Sequence, residues 1–372
     1  MARGRRHARN DCASTRPTGT PCAPPTETLR LMAEPIPTGP FVERLLRTGE
    51  PSTRYKLALA GFGGNANSAR AAIPLSARVV ELLSERTDGG RIPGHPYAKW
   101  AGAHWVLSLL ADLGYPPGER ALLPLAEQVL AWLFEERRVS RRRPRYEPYL
   151  APIVTIAGRP RIHASLEGNA LFALLALGLA DERADRLAER LIEFQWADGG
   201  WNCDRSPAAS HSSFEETLIP LRGLVWHARV RKSAASASAA RRAAELLLER
   251  KLFKRRSTGR IIARDFTRLH YPCYWHYDVL FALKVMAEGG FLADPRCEDA
   301  IALVCAKRQR DGGFPAEEKF WGGARDRSRR SLVSWGPVAK TTSNEFVTAD
   351  ALSVLAALYA ARKLRRQRAD LG

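Results

Sequence analysis

The feature that most constrains this chain is a string that returns along it: Asp88-Gly89-Gly90, Asp198-Gly199-Gly200 and Asp311-Gly312-Gly313. The three copies stand roughly 110 residues apart. Degenerate copies at Arg142 to Tyr146 and Ser257 to Arg260 fall near the midpoints, which gives a period of roughly 55 to 60 residues. That length holds two helices and their loops. Repeated at this period, a chain builds one helical unit several times, and each unit buries its apolar face only against its neighbours.

Every copy has the same internal plan. A charged helix with a single apolar stripe precedes the loop: Leu75 to Arg86, Glu119 to Arg138, Glu182 to Trp196, Ala234 to Leu252 and Pro295 to Arg310. Leu187, Leu191 and Phe194 illustrate the three- and four-residue steps of the stripe, and such helices belong on the outside. A more apolar helix follows the loop: Tyr97 to Gly114, Ala164 to Leu179, Phe214 to Val230, Tyr274 to Gly289 and Glu345 to Ala361. Helices that are apolar nearly all round are surrounded by protein, so these form an inner set. Between the two types, the glycine pairs fit a tight reversal that needs positive φ. The expected fold is therefore all-α, an α/α toroid of about five helix-loop-helix repeats.

Composition narrows the function classes. The chain has 372 residues, 45% of them hydrophobic, which is ample for a large core. No apolar run approaches the roughly 20 residues that cross a bilayer, and no apolar segment follows the arginine-rich N-terminus as it would in a secretory signal. A cytoplasmic address is the default expectation, with peripheral membrane contact at most. The net charge of +19 is scattered, and its densest runs lack interleaved aromatics, so nucleic acid is not an expected partner. Six cysteines without a CxxC pair argue against a disulfide framework or a zinc ribbon. Residues 1–40 are rich in Pro, Thr, Ala and Arg without periodicity and read as a disordered arm, with Met32 a candidate start. Residues 41–361 read as the toroid domain and 362–372 as a basic tail.

Gln195 to Asn202, QWADGGWN, and Arg308 to Phe314, RQRDGGF, resemble the QW-type repeat of squalene and oxidosqualene cyclases. Ser212 to Leu224 and Trp275 to Leu283 resemble other helix starts of the terpenoid cyclase and protein prenyltransferase superfamily, and the resemblance runs over roughly residues 50 to 360. It implies a central cavity that takes an isoprenoid or lipid-like small molecule, with cyclase-like or transferase-like activity. The alternative is a non-catalytic toroid that serves as a binding or interaction scaffold. One toroid is smaller than the two-domain cyclases of that superfamily, and its prenyltransferases use a helical partner subunit, so such a partner is a further expectation.

Superimposing the inner helices puts Ala103, Glu167, Thr217, His276 and Thr348 at one position, at the end that lines the cavity mouth in the resembled families. The resemblance therefore implies Glu215, His276 and Asp278 as catalytic candidates and Glu167, Asn169, Trp201, Trp275, Tyr277 and Asp350 as substrate-binding candidates. Class II cyclases protonate an alkene or epoxide from a D-x-D-D motif, whose place is taken here by Ser213-Phe214-Glu215-Glu216, with Glu215 at the donor position. Ser213-x-x-Glu216 before an apolar run is equally a capping box. Two of the three zinc ligands of the prenyltransferases are absent at the equivalent positions, Tyr274, His276 and Val347. A different set, Cys203, Asp204, His211, His270, Cys273 and His276, has no standard metal spacing. No metal and no cofactor are expected.

Overall fold

The computed structural model describes residues 38–134, 153–320, 331 and 333–369. The expected disordered arm up to residue 37 and the degenerate copy at Arg142 to Tyr146 lie outside them. The described chain is mostly helical. The helices are α1 (Pro40–Thr48), α2 (Pro51–Leu59), α3 (Ala66–Ala72), α4 (Ala77–Leu82), α5 (Ala103–Leu113), α6 (Leu123–Phe134), α7 (Ala164–Ala176), α8 (Glu182–Glu193), α9 (Glu215–Arg231), α10 (Ala234–Leu248), α11 (Val279–Glu288), α12 (Glu298–Cys305) and α13 (Glu345–Ala369). One hairpin, β1 (Val154–Ile156) and β2 (Arg159–Arg161), departs from the all-α expectation. Its turn residues Ala157 and Gly158 both have positive φ, which suits a two-residue hairpin.

The more apolar helices pack one on the next: α5 on α7, α7 on α9, α9 on α11, α11 on α13, and α13 on α2. The last link back, from α2 to α5, is made by side chains. Lys56 reaches Asp112 at 3.4 Å, and Tyr55 lies against the backbone of Gly114. The amphipathic helices pack outside them, as α8 shows by burying Ala184, Leu187, Ala188 and Leu191 while its charges face out. Between α7 and α9 the approach is closest at Gly168, where a Cβ would meet the Pro220 nitrogen at 2.6 Å. No helix among the described residues is long and apolar enough to cross a membrane.

Two departures from the sequence expectation bear on the site. The pair α1 and α2 is a further outer-and-inner hairpin beyond the five expected; α2, PSTRYKLAL, carries too many polar residues to read as an inner helix from periodicity alone. Helix α11 begins at Val279, five residues later than expected. Asp278 ends the preceding loop by accepting the Phe281 N–H, and Tyr274 has positive φ. His276 consequently sits in a loop and not in the first turn of an inner helix. At the other end of the chain, α13 runs on through residues expected as a tail, as far as Ala369.

The repeated Asp-Gly-Gly turns are structurally equivalent in the second and third copies. Gln195 donates to the Gly199 carbonyl at 2.7 Å, and the Trp196 and Gln309 N–H groups donate to the Gly200 and Gly313 carbonyls. Asp198 accepts from the Ser212 hydroxyl and Asp311 from the Ser343 hydroxyl. The Thr217 and Thr348 hydroxyls accept the next N–H groups, from Trp201 and Phe314. Positive φ falls on Gly199 and Gly312 alone; Gly200 and Gly313 are glycine for another reason, because a Cβ there would strike Thr217 Oγ1 at 2.3 Å or Ser343 Oγ at 2.4 Å. In the first copy the positive φ falls on the second glycine, Gly90.

Candidate functional site

A charge on the buried face of a helix is costly unless it is paired. Each of α2, α5, α9, α11 and α13 carries at least one such charge: Lys56, Asp112, Arg222, Lys284 with Glu288, and Asp350. These helices pack on one another in turn, and the charges meet between them. Lys284 Nζ lies 2.7 Å from Asp112 and 2.9 Å from Asp350. Lys56 Nζ lies 2.7 Å from Asp350, and Arg222 lies 3.0 Å from Asp112. Glu288 accepts two bonds from the Arg222 guanidinium, at 2.8 and 2.7 Å, and a third from the Trp226 indole. The guanidinium also lies 3.7 Å from the centre of the Phe172 ring.

The network matches three cations with three carboxylates. Burial alone would raise the Asp112 carboxyl, but Lys284, Lys56 and Arg222 outweigh burial and hold it well below the usual carboxylate range. Burial would likewise discharge Lys284, yet Asp112 and Asp350 push its ammonium up. Burial, with Asp112 and Asp350 beside it, pushes the Tyr271 phenol well up. All three groups therefore keep fixed protonation states near neutrality.

This charged layer divides the axis. On its N-terminal side lies a void of about 40 Å³, lined by Asn169, Tyr271, Cys273 and Tyr274 among others, which has room for little more than ordered water. Aromatic rings fill the rest: Trp100 stacks on Tyr274 at 4.1 Å, Trp105 packs edge-on to both, and Tyr271 stacks on Phe346 at 4.6 Å. On its C-terminal side is a cavity of about 470 Å³. Its floor is the charged layer, and its walls include Tyr55, Ala111, Phe172, Ala176, Trp226, Ala287 and Val354.

Of the residues named from the sequence, Asp350 lines both the void and the larger cavity, and Asn169 lines the void while donating to the Tyr274 carbonyl. Asp278 is also against the void, where it caps α11 and accepts the His270 backbone N–H at 3.0 Å, with His270 Nδ1 2.8 Å from the same oxygen. His276 stacks between Trp275 and Phe320, at 4.2 and 3.5 Å, and burial, helped by His270 and Lys99, lowers its imidazole to about 3. Glu215 accepts a bond from the Ser213 hydroxyl at the start of α9. Glu167 faces α8, with Arg190 at 3.4 Å. Trp201 is wholly buried and donates to the Leu191 carbonyl, and Tyr277 donates to the Leu252 carbonyl while packing on Phe266. Glu215, His276 and Asp278 are thus distributed over three local environments, and none of them lines the larger cavity.

The Cys/His set separates as well. Cys273 groups with His270 and Asp278, whereas Cys203 groups with His163 and Glu216. Ser213 accepts the Glu216 N–H, as in a capping box, but the Glu216 carboxylate turns to the neighbouring helix and accepts the Ser165 N–H at 2.7 Å. Burial, with Glu216 beside it, pushes the Cys203 thiol up. The residues that sequence reasoning passed over are Lys56, Asp112, Arg222, Lys284 and Glu288. The available signal was their isolation, as in SLLADL, FALKVM and IPLRGL, where one charge interrupts an apolar run.

No protein-family model matches this chain, and no curated protein does. Among solved structures, a type II terpene cyclase from Scytonema, in complex with its substrate geranylgeranyl dihydroxybenzoate, is similar at 12% identity over 84% of this chain and 99% of that one, with a TM-score of 0.28. A likeness that slight carries no argument about what this chain does.

Proposed function

We propose that the helices form an α/α toroid, closed by the α2 hairpin, and that the protein binds a small apolar molecule with an uncharged polar head, such as an isoprenoid alcohol. The observation that carries this reading is the cavity of about 470 Å³ with apolar walls and a charge-balanced floor. Small-molecule sites typically span roughly 300–1,000 Å³ and combine apolar lining with a few convergent polar groups. Alanines at 111, 176 and 287 leave the room, and Phe172, Trp226 and Tyr55 supply broad apolar contact.

The floor selects the head group. Every cation in it already faces a carboxylate, and Arg70 on the wall donates to the Gly114 and Tyr115 carbonyls, so a diphosphate would have to displace those acceptors or leave Asp112, Asp350 or Glu288 buried without its partner. A hydroxyl or carbonyl can bond to the edges of the network without breaking it. The same balance favours binding over cyclase-like initiation in this cavity. Alkene protonation needs a neutral, strongly acidic carboxyl, and Asp112 is held ionised by three cations.

The test is calorimetric titration of the full chain with farnesol, farnesyl diphosphate and palmitate, beside native mass spectrometry of whatever co-purifies. Farnesol is expected to bind at least about tenfold more tightly than either anion, a difference of about 1.4 kcal/mol. Ala176→Phe and Ala287→Phe should each abolish that binding with an unchanged circular dichroism spectrum. Farnesol affinity equal to wild type in both variants would remove the cavity as the site.

A further inference from the structure

A second constellation lies on the opposite end of the inner helices, away from the cavity. His163, Cys203 and Glu216 come from three separate segments, yet their ligand atoms all lie within 4.8 Å of one another. Three sets of contacts hold these segments in place. The Ile162 N–H donates to the Asn202 carbonyl at 3.3 Å, which sets His163 beside Cys203. Ser213 N–H donates to the Trp201 carbonyl at 2.9 Å, and Trp201 N–H to Thr217 Oγ1, which set the Cys203 loop against the start of α9. Glu216 Oε2 accepts the Ser165 N–H at 2.7 Å, which leaves Oε1 turned to His163.

We infer that His163, Cys203 and Glu216 form a binding site for a divalent transition-metal ion of the zinc type. One imidazole, one thiolate and one carboxylate make a borderline-soft donor set that suits zinc. The spacing fits too. Bonds of roughly 2.0–2.1 Å in a tetrahedral site put neighbouring nitrogen and oxygen ligands about 3.4 Å apart; His163 Nδ1 and Glu216 Oε1 are 3.5 Å apart, longer than a good hydrogen bond. The bond from Ser165 to the other carboxylate oxygen is the kind of outer contact that orients a metal ligand. With three protein ligands the ion keeps a fourth position, and His163, 64% exposed, places the site at the surface where an ion and a water can reach it.

The other trio, His270, Cys273 and Asp278, fits an ion less well. Its His270 Nδ1 and Asp278 Oδ2 are 2.8 Å apart, a hydrogen-bond distance, and both Asp278 oxygens already accept backbone N–H groups. On metal binding at the first site, the Cys203 S–H bond breaks, the proton passes to solvent and a sulfur–metal bond forms, so uptake releases one proton.

The experiment titrates the full chain, stripped with chelator, with cobalt(II) and separately with zinc(II). One cobalt per chain should bind and give the near-ultraviolet thiolate charge-transfer band together with tetrahedral visible bands. Cys203→Ser should lose the charge-transfer band. His163→Asn, at an exposed position where folding is insensitive, should weaken zinc at least about tenfold, on the scale of lost ligand-sphere contacts. Cys273→Ser should keep both band and stoichiometry. A band that survives Cys203→Ser, one lost in Cys273→Ser, or zinc affinity unchanged in His163→Asn would each overturn the assignment.

Discussion

At the N-terminal end of the inner helices, the loop before α11 lays Tyr271, Cys273 and Tyr274 across the axis, and Trp100, Trp105 and Phe346 pack against it until about 40 Å³ remains. At the C-terminal end, Ala111, Ala176 and Ala287 stand among Tyr55, Phe172 and Trp226, and about 470 Å³ stays open. One charged layer bounds both spaces. The difference teaches that packing helices together does not by itself leave a cavity; side-chain size on either face of the charged layer decides which end is core and which end is cavity. Resemblance to the cyclases drew attention to the end where helices begin, and there the polar side chains mostly cap helices and hold loops.

The most damaging way to break this arrangement is to unbalance the layer that divides it. Asp112→Asn leaves Lys284, Arg222 and Lys56 with one carboxylate fewer, and the expected loss is about 3–5 kcal/mol in urea denaturation. Combining it with Lys284→Gln should recover part of the loss, because the two residues share one interaction. Additive losses would mean that the layer is not a coupled unit.

The contrast between the ends sharpens with a pair of equal insertions. Ser108→Phe adds bulk to the filled end and should cost about 1–3 kcal/mol, the usual penalty for overpacking. Ala176→Phe adds the same bulk to the open cavity and should stay within about 0.5 kcal/mol. Equal destabilisation by both, measured by thermal or urea unfolding, would show that the cavity collapses in solution.

The smallest effect comes from acid. His104, buried at the closed end, is lowered to about 3 by burial, so the folded state keeps it neutral where the unfolded chain takes up a proton. Protonation favours unfolding, so this contribution is present above the unfolded value near 6.5 and is lost progressively as pH falls towards 3. Between pH 6.5 and 5.5 it amounts to about 1 kcal/mol. His104→Gln should flatten that part of the stability profile relative to wild type, and an unchanged profile would show that His104 is not held neutral.

The sequence by itself determined the helical class, the alternation of amphipathic and apolar helices and the repeated turns, because periodicity and the Asp-Gly-Gly string report local geometry and burial directly. It left the α1 and α2 pair uncounted because nine-residue helices with mixed composition carry little periodic signal. It named Asp350 and Asn169, which line the void, but could not separate them from Trp201 and Tyr277, whose indole and phenol donate to the Leu191 and Leu252 carbonyls, since an aromatic in a loop carries no periodicity that says which way it faces. Only the tertiary structure decided that Lys56, Asp112, Arg222, Lys284, Glu288 and Asp350 meet. Partners up to 294 residues apart in sequence become neighbours through the packing of α2 against α13, and the cost of an unpaired buried charge is what fixes their balance.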